Sequence, residues 1–299
     1  MLMAMDVEAY AEVGKVSYEA MMYAKSLVKP GARLVDVANA TEAFIKEKGF
    51  EMAFPTNLSV NHEAAHYTPS YDDPKVFTAT DVVKVDVGAR KEDMLGDCAI
   101  TVDLSGSYGK LIETSEMALD AAIGMVKAGR KLGEIGKEVG DIAKGAGFNP
   151  IRNLGGHEII AGELHANIFI PNYDNGDGTE LKEGQVIAIE TFITTGKGTV
   201  TDSETVQIFQ KMGSANPRLN ITRDVLSFIG STYSTYPFAL RWLIQRYNSE
   251  FMVRTALNEL YSLDALESFP MLVEESHGIV AQTEKTMVIE KDSARIITQ

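Results

Sequence analysis

Apolar residues recur at helical spacing across residues 6–28, where Val7, Tyr10, Val13, Val16 and Met21 share one side of a helix that Pro30-Gly31 terminates. A second amphipathic helix is predicted over 34–48, closed by Gly49. Residues 51–60 read as a strand that enters a polar loop, N-H-E-A-A-H-Y-T-P. Two runs rich in Val, Ile and Thr follow, 81–89 and 97–104, and they predict two strands joined by a polar turn around residues 91–96.

The pattern then repeats. Residues 28–50, VKPGARLVDVANATEAFIKEKGF, align without a gap on 126–148, VKAGRKLGEIGKEVGDIAKGAGF, at an offset of 98. Val28, Lys29, Gly31, Leu34, Lys46, Gly49 and Phe50 each meet an identical residue, and Val37 meets Ile135. Two amphipathic helices resemble each other through apolar positions alone, but here the glycines match too. The repeat predicts two pseudo-symmetric α/β halves. After T-T-G-K-G the texture changes. Residues 211–268 carry R-D-V-L-S-F-I-G, P-F-A-L-R-W-L-I-Q-R-Y and M-V-R-T-A-L-N-E-L-Y-S-L, which read as a helical insertion within the second half. The sheet is expected to resume at 271–274 and 279–290.

Composition adds bounds. The 299 residues are 45% hydrophobic and 23% charged, enough for one large α/β body. A net charge of −14 opposes general nucleic-acid binding. The single cysteine, Cys98, excludes an internal disulfide and fits a reducing compartment. The N-terminus has no basic residue before Asp6 and Glu8, unlike a signal peptide, and no apolar run approaches membrane-spanning length. These features predict a soluble cytoplasmic protein without membrane partners.

Candidate chemistry lies on the strands. Asp86 sits in V-V-K-V-D-V-G, Asp97 in L-G-D-C-A-I-T-V-D, Glu190 in V-I-A-I-E-T-F-I and Glu284 in G-I-V-A-Q-T-E-K-T-M-V-I. Acids inside apolar strands are costly unless paired or bound to a cation. A hairpin would set Asp86 beside Asp97, and a metal would remove their repulsion. For that pair alone, ordinary strand-edge carboxylates are an equal alternative. A salt-bridge network is the alternative for all four, but it needs four buried basic partners. Strand alternation turns Cys98 away from Asp97, toward the core. Four of the five histidines fall in two clusters, His62 with His66 and His157 with His165. Gly155-Gly156 would let the backbone approach a ligand and present His157. Imidazole with carboxylates suits Mn, Fe, Co or Zn. The T-T-G-K-G segment is not a phosphate loop, since Thr191 stands where the first glycine belongs. No Gly-x-Ser-x-Gly elbow is present. The run 285–291 reads as strand surface.

The ordered series Asp86-x10-Asp97, Gly-His157, Ile-Glu190-Thr-Phe and Ala-Gln-Thr-Glu284 resembles the metal-ligand series of the methionine aminopeptidases. That resemblance implies a single pita-bread catalytic domain over 1–299, α+β in class and related to creatinase. It implies two divalent metals (Co, Mn, Fe or Zn). Asp86 and Asp97 would hold one, His157 and Glu190 complete the other, and Asp97 and Glu284 bridge. His66 and His165 match the non-ligand histidines that contact substrate and intermediate. Phe54, Phe192 and Phe269, with Leu164, match the methionine pocket. The 211–268 insertion, F-P-T-N-L-S-V-N, H-A-N-I-F-I-P-N and P-F-A-L-R-W-L resemble the type 2 subfamily in its short archaeal form. Lys285, Gly155 and Phe269 depart from the commoner histidine, serine and tyrosine. His62 and His277 match no catalytic position.

The implied activity is removal of initiator methionine from nascent chains and peptides with a small second residue. A monomer in transient contact with the ribosome is the implied setting. Two alternatives share the fold: a Xaa-Pro peptidase, which usually carries a further N-terminal domain, and a non-catalytic ribosome- or RNA-associated protein. The latter typically loses metal ligands and gains basic extensions, whereas this chain retains all five ligands and is acidic.

Overall fold

The computed structural model describes residues 7–299. Residues 1–6, where no signal peptide is expected and where the first predicted helix begins at Asp6, lie outside them. The first half comprises α1 (Val7–Leu27), α2 (Leu34–Glu47), β1 (Glu51–Met52), β2 (Asn57–Val60), β3 (Glu63–Ala65), β4 (Val82–Lys91) and β5 (Met94–Asp103). The second half begins with α3 (Gly109–Met125), α4 (Leu132–Gly145), β6 (Asn149–Pro150), β7 (Gly155–Ile159), β8 (Phe169–Pro171), β9 (Val186–Thr194) and β10 (Val200–Lys211). It continues through α5 (Asn220–Thr232), β11 (Phe238–Ala239), α6 (Leu240–Tyr247), α7 (Glu250–Ser262), β12 (Leu266–Glu274), β13 (Val280–Ile289) and β14 (Ala294–Ile296).

The repeat is carried into space. Helices α2 and α4, and strands β1 and β6, begin 98 residues apart. Gly49 and Gly147 close the two helices in the left-handed conformation, at φ 82° and 90°. Strand β1 then pairs with β4, and β6 with β9. Each half thus delivers a strand that carries one acid, Asp86 on β4 and Glu190 on β9. A sheet of order β1-β4-β5-β13-β9-β7-β8 joins the halves, with β5 and β13 meeting at the seam. Apolar faces of α1 and α2 pack on β4, where Val16, Leu34 and Val85 share one core. Those of α3 and α4 pack on β9 and β13, where Leu119, Ile135 and Ile187 share another. No helix among the described residues is long and apolar enough to cross a membrane.

Four expectations change. The hairpin turn is only Glu92-Asp93, because the ladder runs to the Lys91–Met94 pair and Glu92 turns the chain at φ 55°. The strand predicted over 51–60 breaks after Met52. Pro55 cannot donate to a ladder, and the break sends Phe54 inward. Residues 238–239 are strand rather than the start of a helix, and β12 begins at Leu266, so the helical stretch ends before 268. A second sheet, β11-β10-β12-β3, was not anticipated. Its strand β10 is interrupted by register shifts between Asp202 and Ile208, which spoil the alternation that marks a strand. Helices α5–α7 pack on this sheet around their own core of Val225, Leu243 and Leu257.

A Cβ added at Gly49 or Gly147 would meet no atom within 4 Å, so only the backbone conformation opposes substitution. Gly49→Ala and Gly147→Ala should each destabilise the protein by about 1 kcal/mol, and additively. Urea unfolding midpoints check this. A silent substitution at either site would break the equivalence of the two helix ends.

Candidate active site

The register of the central strands sets the acids on one face. On the β4–β5 ladder Asp86 lies opposite Ala99 and Asp97 opposite Gly88, so the two aspartates sit diagonally, not side by side. Ala99 also faces Glu284 of β13, and Glu284 faces Glu190 of β9 directly. One strand further, His157 of β7 lies opposite Ala188. Asp97, His157 and Glu284 are buried and bring one ligand atom each to within 4.8 Å of one another. The His157 Nε2 atom is 3.5 Å from an Asp97 carboxylate oxygen and 4.0 Å from one of Glu284. Asp86 and Glu190 are half-buried and line the same cavity. Cys98, on the other face, is buried in the core under α1, as alternation predicts.

The presence of so many acids shows in their proton affinities. Burial, and then the Asp97 charge, hold the carboxyls of Asp86, Glu190 and Glu284 well above the ordinary carboxylate range. Side-chain amides moderate the conflict, those of Gln282 and Asn57 both lowering the proton affinity of Asp86. Gln282 Nε2 donates at 3.3–3.4 Å to Asp86, Glu190 and Glu284 at once. One oxygen on each of Asp86, Asp97 and Glu284 remains buried with no hydrogen-bond partner. Buried charged oxygens without partners are costly, and a divalent cation satisfies them together with the imidazole. The donor set therefore fits a metal ion. Thr286 fixes its frame: its hydroxyl donates to the Asp97 carbonyl at 2.6 Å and accepts from the Asp97 N–H at 2.9 Å.

The cavity wall gathers the remaining candidates. His66, His165, Phe54, Leu164, Phe192 and Phe269 all line it. The His165 ring lies 4.3 Å from that of His157, and His66 and Phe269 meet in a T-shaped contact at 5.9 Å between ring centroids. His165 has one side open to solvent, yet enclosure of its ring by the walls, and then His157 and His66, hold its pKa well below the ordinary histidine value. Burial also lowers His66, against a hydrogen bond to the Pro270 carbonyl. His66 adopts φ 63°, which few non-glycine residues tolerate. His62 and His277 instead pack on each other, at 4.7 Å between rings, and line no part of this cavity.

Other lining residues escaped the sequence reading: Asn57, Ala65, Leu154, Ile208 and Pro237. Asn57 lies opposite Asp86 on the ladder, and Gln282 lies two residues before Glu284 on the same strand face, so alternation could have found the latter. The two glycines before His157 act differently from expectation. A Cβ on Gly155 would lie 2.2 Å from the Ile170 carbonyl oxygen, and one on Gly156 2.4 Å from that of Ala188. They permit close strand packing around His157 rather than close approach of a ligand, and serine does not fit at 155 without backbone movement.

The raised carboxyls bind protons more tightly in the folded metal-free protein than in the unfolded chain. Their contribution to stability is full below the ordinary values of 3.8 and 4.5 and is lost as pH rises through the raised values. Asp97→Asn removes the charge that each of them faces. The metal-free variant should therefore be more stable than metal-free wild type at neutral pH, by about 1–3 kcal/mol, and lose less stability as pH rises. Calorimetry with chelator across pH 4–8 checks this, and a metal-free variant that melts below wild type at neutral pH would refute it.

Residues 8–211 match the model of metallopeptidase family M24. A methionine aminopeptidase of Thermococcus onnurineus is 41% identical over 97% of this chain and 99% of its own length. One of Pyrococcus horikoshii is 39% identical over 99% and 100%. Among solved structures, a methionine aminopeptidase of Thermotoga maritima superposes with a TM-score of 0.72 at 24% identity over the whole of both chains. A thermophilic Arx1 gives 0.85 at 16% identity over 98% of this chain and 91% of its own. At those identities the two structures speak for the fold, which is the pita-bread arrangement. The chain belongs to metallopeptidase family M24, with methionine aminopeptidases as its full-length relatives.

Proposed function

We propose that this chain removes the N-terminal initiator methionine from nascent proteins and peptides with a small second residue, using two divalent metal ions. The observation that carries the reading is convergence. Asp86, Asp97, His157, Glu190 and Glu284, from five neighbouring strands, line one cavity with two histidines and an apolar wall. Asp86 and Asp97 would hold one ion, His157 and Glu190 the other, with Asp97 and Glu284 reaching both. Co, Mn, Fe and Zn all suit this donor set. Helices α5–α7, between β10 and β12, support assignment to the type 2 subfamily.

Bound metals would lower the pKa of a shared water and polarise the scissile carbonyl. The remaining work falls to the chain. Glu284 accepts a proton at its carboxylate. Burial lowers the proton affinity of His66 and His165 and favours their neutral rings. His165 offers its N–H to the substrate carbonyl or the developing oxyanion, whereas His66, whose N–H goes to the Pro270 carbonyl, presents its unpartnered Nδ1 to the substrate as an acceptor. Phe54, Leu164, Phe192 and Phe269 receive the thioether and exclude water from it. With the first side chain held there, the first peptide bond lies against the carboxylates.

Methionine release from a Met-Ala-Ser peptide, with titration of each metal, tests the reading. Activity should saturate near two ions per chain and exceed activity on an Ala-Pro peptide. Preference for the proline substrate, or no transition-metal binding, would overturn it. Asp97→Ala should lose both metal affinity and activity. His165→Ala should keep its metals and lower kcat by about 10²–10³-fold, because it removes a donor rather than a ligand. Metal content measured alongside turnover separates these two outcomes.

A further inference from the structure

Beyond Pro237 at the cavity wall, the P-F-A-L-R-W-L segment has no part in the chemistry above, yet it contains the largest fully buried side chain of the described residues. Arg241, in the first turn of α6, is 0% exposed. Its Nη2 pairs with Glu42 Oε1 on α2, and its Nη1 donates to Thr68 Oγ1 at 2.5 Å and to the Pro69 carbonyl at 3.3 Å. Glu42 in turn accepts from the Thr56 N–H at 3.2 Å and from Trp242 Nε1 at 2.7 Å. The Thr68 hydroxyl closes the circuit by donating to the Thr56 carbonyl at 2.8 Å.

The segments so joined are 53–57 and 66–69. The first carries Phe54 and Asn57, and the second begins at His66; all three line the cavity. His66 is also the cavity residue whose backbone is strained. A left-handed histidine persists only where its surroundings over-determine it. Before it, Ala65 of β3 is paired with β12. After it, the Tyr67 carbonyl accepts from the Leu58 N–H at 2.7 Å, and Thr68 is held by Arg241.

We propose that Arg241 is a positioning residue. Through Thr68 and Glu42 it fixes the two segments that form the substrate wall and holds His66 in its left-handed geometry, so helix α6 is part of the active-site framework. This rests on the reading that His66 contacts substrate. Loss of the guanidinium leaves His66 free to relax while all five metal ligands, on other strands, stay in place.

The test is a double-mutant cycle on the metal-loaded enzyme. Thr68→Val removes the acceptor together with its bond to the Thr56 carbonyl, and Arg241→Met removes the donor. Each should lower kcat/KM for Met-Ala-Ser by about 10–100-fold with metal stoichiometry unchanged, and each should cost less than about twofold in a His66→Ala background. Equal losses in both backgrounds would show a merely structural role and overturn the proposal. If Arg241→Met does not fold, the apolar pair Glu42→Met with Arg241→Met keeps the site neutral. Its kcat/KM should stay low, and full activity there would refute the clamp. Histidine-selective NMR supplies a readout independent of turnover: the His66 ring signals should shift in Thr68→Val while those of His157 do not. An absence of methionine release by wild type would instead refute the functional reading, whatever the NMR shows.

Discussion

Four carboxylates gathered on one face of a sheet constrain everything around them. Asp97 and Glu284 have oxygens within 4.8 Å. At that separation two full charges repel by about 3–4 kcal/mol at an effective dielectric of 20. Whole domains are stable by only about 5–15 kcal/mol. Several such repulsions would consume that margin, so the acids must share protons or a cation. The pseudo-symmetry distributes the load. Asp86 and Asp97 come from the first half, Glu190 and Glu284 from the second, and they meet across the β5–β13 seam. Gln282 donates to three of the four at 3.3–3.4 Å, and its lone amide cannot match two positive charges.

The clamp between α6 and α2 obeys a different logic. Burying Arg241 with Glu42 sacrifices hydration of both groups, and apolar residues of similar volume commonly serve stability as well or better. Such a pair is better understood as a device for geometry. It ties a helix packed on the second sheet to a helix of the first half, across the two loops that hold Phe54 and His66. An apolar pair could fill the space but could not direct a hydrogen bond at Thr68.

Much of this was legible along the chain because the signals are local or periodic. The matched glycines at 31, 49, 129 and 147 mark left-handed turns at equivalent places, and strand alternation separates Cys98 from Asp97. What stayed hidden depends on pairing between distant segments. The diagonal offset of Asp86 and Asp97 follows from a hairpin turn of two residues, which fixes the ladder. Crowding at Gly155 follows from the Ile170 carbonyl on β8, and no local pattern reports a neighbouring strand's backbone. Strand β10 pairs with β11 and β12 through an irregular register, so its polar sequence lacks a period. Arg241 reads as an ordinary helix-face arginine until Glu42, 199 residues away, appears beside it.

Fold likeness and site likeness carry different weight here. The thermophilic Arx1 superposes with a higher TM-score than the Thermotoga methionine aminopeptidase, 0.85 against 0.72, though only 16% of its residues match. Overall superposition is dominated by helices and strands, and a scaffold hosts many functions. What discriminates is the set of features that the scaffold does not need. A pita-bread chain with Val or Thr at 86, 97, 190 and 284 would escape the repulsion and bury its sheet at no electrostatic cost. Retaining all four acids, three with a partnerless oxygen and one of those within 4.0 Å of an imidazole nitrogen, destabilises the metal-free fold. That cost is intelligible only if a cation is bound while the protein works.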